Sequence, residues 1–145
     1  MRIYVINGPN LNMLGIREPS IYGRVTYDEL CEVIRSECLK RGIEVTLCQS
    51  NHEGDLVDKI QEAYFEGADG IVINPGAYTH TSIAILDAVK STMLPTVEVH
   101  ISDVNSREEF RKVSFIREAC IGTISGHGIM GYVEAIDLLK EHIKE

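Results

Sequence analysis

Gly70-Ile71-Val72-Ile73 is a short run of apolar, mostly β-branched residues. It is too short for a helix and has no polar face, which predicts a strand covered on both sides, as in a parallel sheet. Downstream, 74–79 reads as a loop, and Ile83, Leu86 and Val89 mark a helix with Pro95 beyond its end. Thr96-Val97-Glu98-Val99-His100 is a further strand. Ser106-x-x-Glu109 reads as a capping box opening a short helix through Phe110. Residues 120–125 form a last strand, and Val133, Ile136, Leu139 and Ile143 line one face of a final helix.

Upstream, Leu56, Val57, Ile60 and Ala63 define a helix ending near Gly67, preceded by a polar loop at 49–54 and the strand Ile43-Glu44-Val45-Thr46-Leu47. Before that, Leu30, Val33, Ile34 and Cys38 share a helical face, with the capping box Thr26-x-x-Glu29 at its start and Gly42 at its end. Ile3-Tyr4-Val5-Ile6 is the first strand. Five β–α units with short linkers predict an α/β fold, a flavodoxin-like doubly wound five-stranded parallel sheet. Right-handed crossovers give strand order 2-1-3-4-5 with helices on both faces, in a single domain spanning 1–145.

With 145 residues, 44% hydrophobic and 25% charged, the chain has the make-up of one globular domain. Its formal net charge of −8 and the lack of a basic stripe argue against nucleic-acid binding. A few pocket arginines could still hold a small anion against that field. No apolar run reaches bilayer length, and the N-terminus enters a strand without a signal-peptide layout, so a cytoplasmic protein is expected. Cys31, Cys38, Cys48 and Cys120 form no C-x-x-C pair and read as buried reduced thiols.

One connection is anomalous. Between the first strand and the helix after Thr26 runs Asn7-Gly8-Pro9-Asn10-Leu11-Asn12, continuing through Arg17 to Tyr22-Gly23. Linkers in α/β units span about 2–6 residues, and long ones are usually functional. This loop carries Asn, Arg and Tyr, so it reads as a lid over an active site. In doubly wound sheets ligands bind outside the carboxyl ends of the strands. Those ends supply Asn7, Asn10, Arg17 and Tyr22; Asn74, Tyr78 and His80; His100 and Ser102, then Arg107 and Arg111; and Gly126-His127-Gly128.

No nucleophile elbow and no Walker-type phosphate loop is present. Gly126-x-Gly128-x-x-Gly131 matches a dinucleotide fingerprint, but no strand follows it to carry a ribose-binding acid. Glu98 and His100, two apart on a strand, point to one face. A carboxylate there fixes the imidazole's tautomer and suits it to general-acid work. A tyrosine titrates at about 10 in isolation, and making Tyr22 a base near neutrality takes roughly 3–4 kcal/mol of phenolate stabilisation. Guanidinium groups in a water-poor site supply that, with Arg17 and Arg111 as candidates. Asn10 and Asn74 add amide donors for enolate, hydroxyl or carboxylate oxygens.

These motifs resemble the type II 3-dehydroquinate dehydratases. The resemblance runs in order from Asn7-Gly8-Pro9-Asn10-Leu11-Asn12, Leu14-Gly15-x-Arg17-Glu18-Pro19 and Tyr22-Gly23 to Gln49-Ser50-Asn51-x-Glu53-Gly54. It continues through Asn74-Pro75-Gly76-Ala77-Tyr78-Thr79-His80-Thr81-Ser82, Glu98-Val99-His100-Ile101-Ser102, Arg107-Glu108-Glu109-Phe110-Arg111 and the Gly126 tail. It implies reversible dehydration of 3-dehydroquinate to 3-dehydroshikimate through an enol or enolate, with no cofactor, no metal and no Schiff base. By the same resemblance Tyr22, with Arg17 beside it, is the base. A water held near Asn10 stabilises the enolate, and His100, oriented by Glu98, is the acid. Asn74, His80, Ile101, Ser102 and Arg111 hold substrate.

The resemblance also implies that Asp87 reaches a neighbouring subunit's site in a homododecamer built as a tetramer of trimers. Asp103 and Lys112 depart from the family pattern, where Asn and His are expected; Asp103 puts an acid near the carboxylate-binding rim. Two other classes fit the same strand ends. One is a metal-dependent hydro-lyase using His80, His100 and His127. The other is a non-catalytic flavodoxin-like binding module for a small polyhydroxy acid. A Schiff-base enzyme fits poorly, because every lysine falls on a helical or terminal segment.

Overall fold

In the computed structural model, which describes residues 1–16 and 18–144 and only the backbone of Tyr22, five strands form one parallel sheet. They are β1 (Arg2–Asn7), β2 (Glu44–Gln49), β3 (Gly70–Asn74), β4 (Thr96–His100) and β5 (Gly122–Ser125), in the order β2-β1-β3-β4-β5. The helices are α1 (Pro19–Tyr22), α2 (Tyr27–Lys40), α3 (Glu53–Phe65), α4 (Ile83–Thr92) and α5 (Met130–Lys144). Among the described residues no helix is long and apolar enough to cross a membrane. The four cysteines are free thiols.

Strand periodicity divides the core into two layers. Ile3, Val5, Val72, Val97 and Val99 pack on one face of the sheet with Leu30 and Ile34 of α2 and Ile136 and Leu139 of α5. Tyr4, Ile6, Ile71 and Ile73 pack on the other with Leu56 and Ile60 of α3 and Ile85 and Val89 of α4. All five residues of β3 are buried, as expected of a central strand. Each fully buried Ile or Leu contributes about 1.5–3 kcal/mol relative to exposure.

The helix boundaries follow their caps. Thr26 Oγ1 accepts from the Glu29 amide at 3.1 Å, and Ser82 Oγ accepts from the Ile85 amide at 2.9 Å. The capping box expected at Ser106 does not form. Asp103 takes the cap instead, its Oδ1 accepting from the Asn105 amide at 3.0 Å, while Ser106 Oγ donates to the Asp103 carbonyl at 2.8 Å. The expected helix there is replaced by two 3₁₀ turns, Val104–Ser106 and Glu109–Lys112. β5 begins two residues later than expected, because a third such turn, Ile116–Ala119, occupies its approach. At the other edge β2 runs on to Gln49, shortening the polar loop.

The long connection after β1 is built rather than structureless. The 3₁₀ turn Leu11–Met13 is anchored by buried Leu11 and Leu14, and α1 lies further on. The Gly8 amide donates to the Asn74 carbonyl at 2.7 Å. A Cβ on Gly8 would lie 2.3 Å from the Pro75 carbonyl oxygen, so only glycine lets these two strand-end loops meet. Gln49 Nε2 donates to the Gly8 carbonyl at 3.1 Å, and Asn51 Oδ1 accepts from the Asn10 amide at 3.0 Å. The second strand's end thereby holds the start of the loop in place.

Candidate active site

The carboxyl ends of β1, β3 and β4 enclose a cavity of about 150 Å³, where the strand order reverses. Eight of the residues singled out from the sequence line it: Asn10, Asn74, His80, His100, Ile101, Ser102, Arg107 and Arg111. Arg107 comes from the turn after β4. Leu11 and Leu14 form an apolar wall that sequence reasoning missed, although their three-residue spacing in a polar loop was the available signal. A second, more open depression shares Ile101, Ser102 and Arg107 with this cavity and reaches Ser20 and Ile21 of α1.

The Glu98–His100 pair is buried at the end of β4. Glu98 is 0% exposed and His100 5% exposed, side by side on one face of β4. His100 Nε2 donates to Glu98 Oε2 at 2.5 Å. Burial pushes the Glu98 carboxyl up, but hydrogen bonds from His100 and Ser114 and the charge of Arg117 outweigh it and hold it at about 2. Glu98 is therefore a carboxylate throughout the working range. It commits Nε2 of His100 and leaves Nδ1 for the cavity.

His80 has a different environment. Its Nδ1 donates to the Val113 carbonyl at 2.6 Å. Burial lowers its pKa, the nearby His100 and Arg111 lower it further, and the bond to Val113 only partly opposes them. A neutral ring bonded this way offers Nε2 as an acceptor for a hydroxyl. Asn74, 4% exposed, is locked at both ends of its amide: Nδ2 donates to Tyr132 Oη at 3.0 Å and Oδ1 accepts from the Gly76 amide at 3.1 Å. Tyr132 in turn donates to Asn7 Oδ1 at 2.6 Å. The second Asn74 N–H is left for a ligand.

Arg111 is held by Glu108, to which its Nε donates at 2.8 Å, and lies over the Phe110 ring at 5.2 Å. Two guanidinium groups, neutral amides and an imidazole acceptor lining one cavity suit a small polyhydroxy carboxylate.

Other expected residues lie elsewhere. Arg17 and the side chain of Tyr22 lie outside the described residues; the Tyr22 backbone ends α1. Asp87 is exposed on α4 and does not line the cavity of its own chain. His127 is turned to Glu134, with Nδ1 and Oε2 2.6 Å apart. Among the described residues His80, His100 and His127 do not gather into a metal-ligand cluster.

The sequence profile of the family described as Dehydroquinase class II matches residues 1–140. The 3-dehydroquinate dehydratase of Clostridium acetobutylicum is 57% identical over 145 residues, covering 100% of both chains. That of Caldicellulosiruptor bescii is 56% identical over 140 residues, 97% of each chain. The crystal structure of type II dehydroquinase from Butyrivibrio crossotus superposes with a TM-score of 0.96 at 58% identity over 97% of each chain. Matched along nearly its whole length by profile, by identity and by superposition, the chain belongs to the class II dehydroquinase family, the type II 3-dehydroquinate dehydratases.

Proposed function

We propose that this chain, acting as a single catalytic domain, dehydrates 3-dehydroquinate reversibly to 3-dehydroshikimate, with Tyr22 as base and His100 as acid. The observation that carries the reading is the His100–Glu98 pair opening into a cavity rimmed by Arg107 and Arg111. Tyr22, activated by Arg17, removes a proton from the methylene beside the ketone. The electron pair moves onto the ketone oxygen as an enolate, stabilised through a water near Asn10. The enolate then collapses, the bond to the neighbouring hydroxyl breaks, and His100 delivers a proton so that water leaves. Arg111 holds the substrate carboxylate, Asn74 and His80 take its hydroxyls, and Ile101 and Ser102 complete the seat.

Homododecameric assembly, with Asp87 serving a neighbouring subunit, a cytoplasmic location and a place in aromatic amino-acid biosynthesis by the shikimate route belong to the same reading. The direct test is to add 3-dehydroquinate in the presence of EDTA and follow the conjugated enone's ultraviolet absorbance. A prompt rise is expected, and no rise would overturn the assignment. Borohydride added with substrate should leave activity intact.

A further inference from the structure

The Glu98 carboxylate accepts four hydrogen bonds, two on each oxygen. Oε2 takes His100 Nε2 at 2.5 Å and Ser114 Oγ at 2.8 Å; Oε1 takes Thr123 Oγ1 at 3.1 Å and Arg117 Nε at 3.2 Å. A carboxylate offers about four lone-pair positions, so this one is saturated. Three of the four donors come from outside β4: Ser114 follows the turn Glu109–Lys112, Arg117 lies in the turn Ile116–Ala119, and Thr123 lies in β5.

We propose that Ser114, Arg117 and Thr123 are positioning residues of the acid: by filling the other three lone-pair positions of Glu98 they leave a single direction for His100 Nε2 and so aim Nδ1 at the substrate. The inference rests on reading His100 as the acid. Without those three donors a buried carboxylate could swing about its last torsion, and the imidazole would follow. The charges agree with this arrangement. His100 and Arg117 pair directly with Glu98, and His80, which also lines the cavity, lies within electrostatic reach of His100, Arg111 and Glu98. The nearby Cys120 thiol stays neutral, pushed up to about 12 by burial and by Glu98 itself. Arg117 thus supplies a countercharge, and Ser114 and Thr123 supply direction without charge. The same segment carries the Val113 carbonyl that orients His80, so one stretch of irregular chain sets both imidazoles of the cavity.

The test is a set of double-mutant cycles read by kcat, KM and melting temperature. Ser114→Ala, Thr123→Val and Arg117→Met should each lower kcat about tenfold with KM within about twofold, the loss expected for one buried charge-assisted bond. Thr123→Ser and Arg117→Lys, which keep a donor, should recover most of it. In an enzyme already carrying Glu98→Gln, the same three substitutions should lower kcat by less than about twofold further, because their effect passes through that carboxylate. Full additive losses in the Glu98→Gln background would overturn the inference. So would undiminished kcat in all three single variants when Glu98→Gln itself is impaired. Undiminished kcat in Glu98→Gln is a separate failure: it removes the acid pair from the mechanism and the inference with it.

Discussion

Two side chains show how the site is held at the level of single residues. The Glu98 carboxyl lies near 2 in the fold, below its ordinary value of 4.5. A lowered carboxyl pKa contributes stability that is present above the unfolded value and is lost as pH falls through the folded one. Glu98 should therefore contribute on the order of 3 kcal/mol above about pH 5, lost between about pH 5 and pH 2. Urea unfolding at pH 6 and pH 3 should show Glu98→Gln losing less stability on acidification than the parent. Tyr132 is the second case. Its hydroxyl accepts from Asn74 and donates to Asn7, both buried. Tyr132→Phe leaves two buried amide groups short of a partner and should cost about 1–3 kcal/mol of stability. It should also raise KM severalfold, because Asn74 loses its fixed orientation.

The strand ends decide which side chains meet. Gly8 packs against Pro75, bringing the loops that carry Asn10 and Asn74 together. Gly8→Ala should cost about 1–3 kcal/mol by overpacking and cut kcat/KM by tenfold or more, measurable by denaturation and steady-state kinetics. The strands and long helices were legible in the sequence because each carries its own periodicity and stop signals. The strand-end residues were legible with them, since a residue just past a parallel strand has its place set by the strand. The stretch from Asp103 to Ile121 was not. Its side chains compete for the same backbone groups, Asp103 displaces Ser106 as the cap, two 3₁₀ turns replace one short helix, and a third delays the start of β5. Ser114 and Arg117 bond Glu98 from that irregular path and Thr123 from β5, and no repeat in the sequence marks them. The apolar wall of Leu11 and Leu14 was missed for a related reason: a single three-residue spacing in a polar loop is too little to establish a period.

At the scale of the whole molecule, the sheet assembles one cavity from strand ends far apart in sequence, with cores on both faces holding those ends in register. Asp87 stands on the exposed face of α4, outside its own chain's cavity. If assembly supplies it to a neighbour, Asp87→Ala should lower kcat/KM while leaving the melting temperature within about 2 °C. Sedimentation of the parent should give the homododecamer. In the proposed mechanism Tyr22 takes the carbon-bound proton and His100 gives one to the departing hydroxyl. Proton exchange at the methylene beside the ketone, followed by NMR in D2O, separates the two steps. The His100→Ala enzyme should exchange that proton while forming almost no enone, and Tyr22→Phe should do neither; exchange that survives in Tyr22→Phe but is lost in His100→Ala would contradict the assignment.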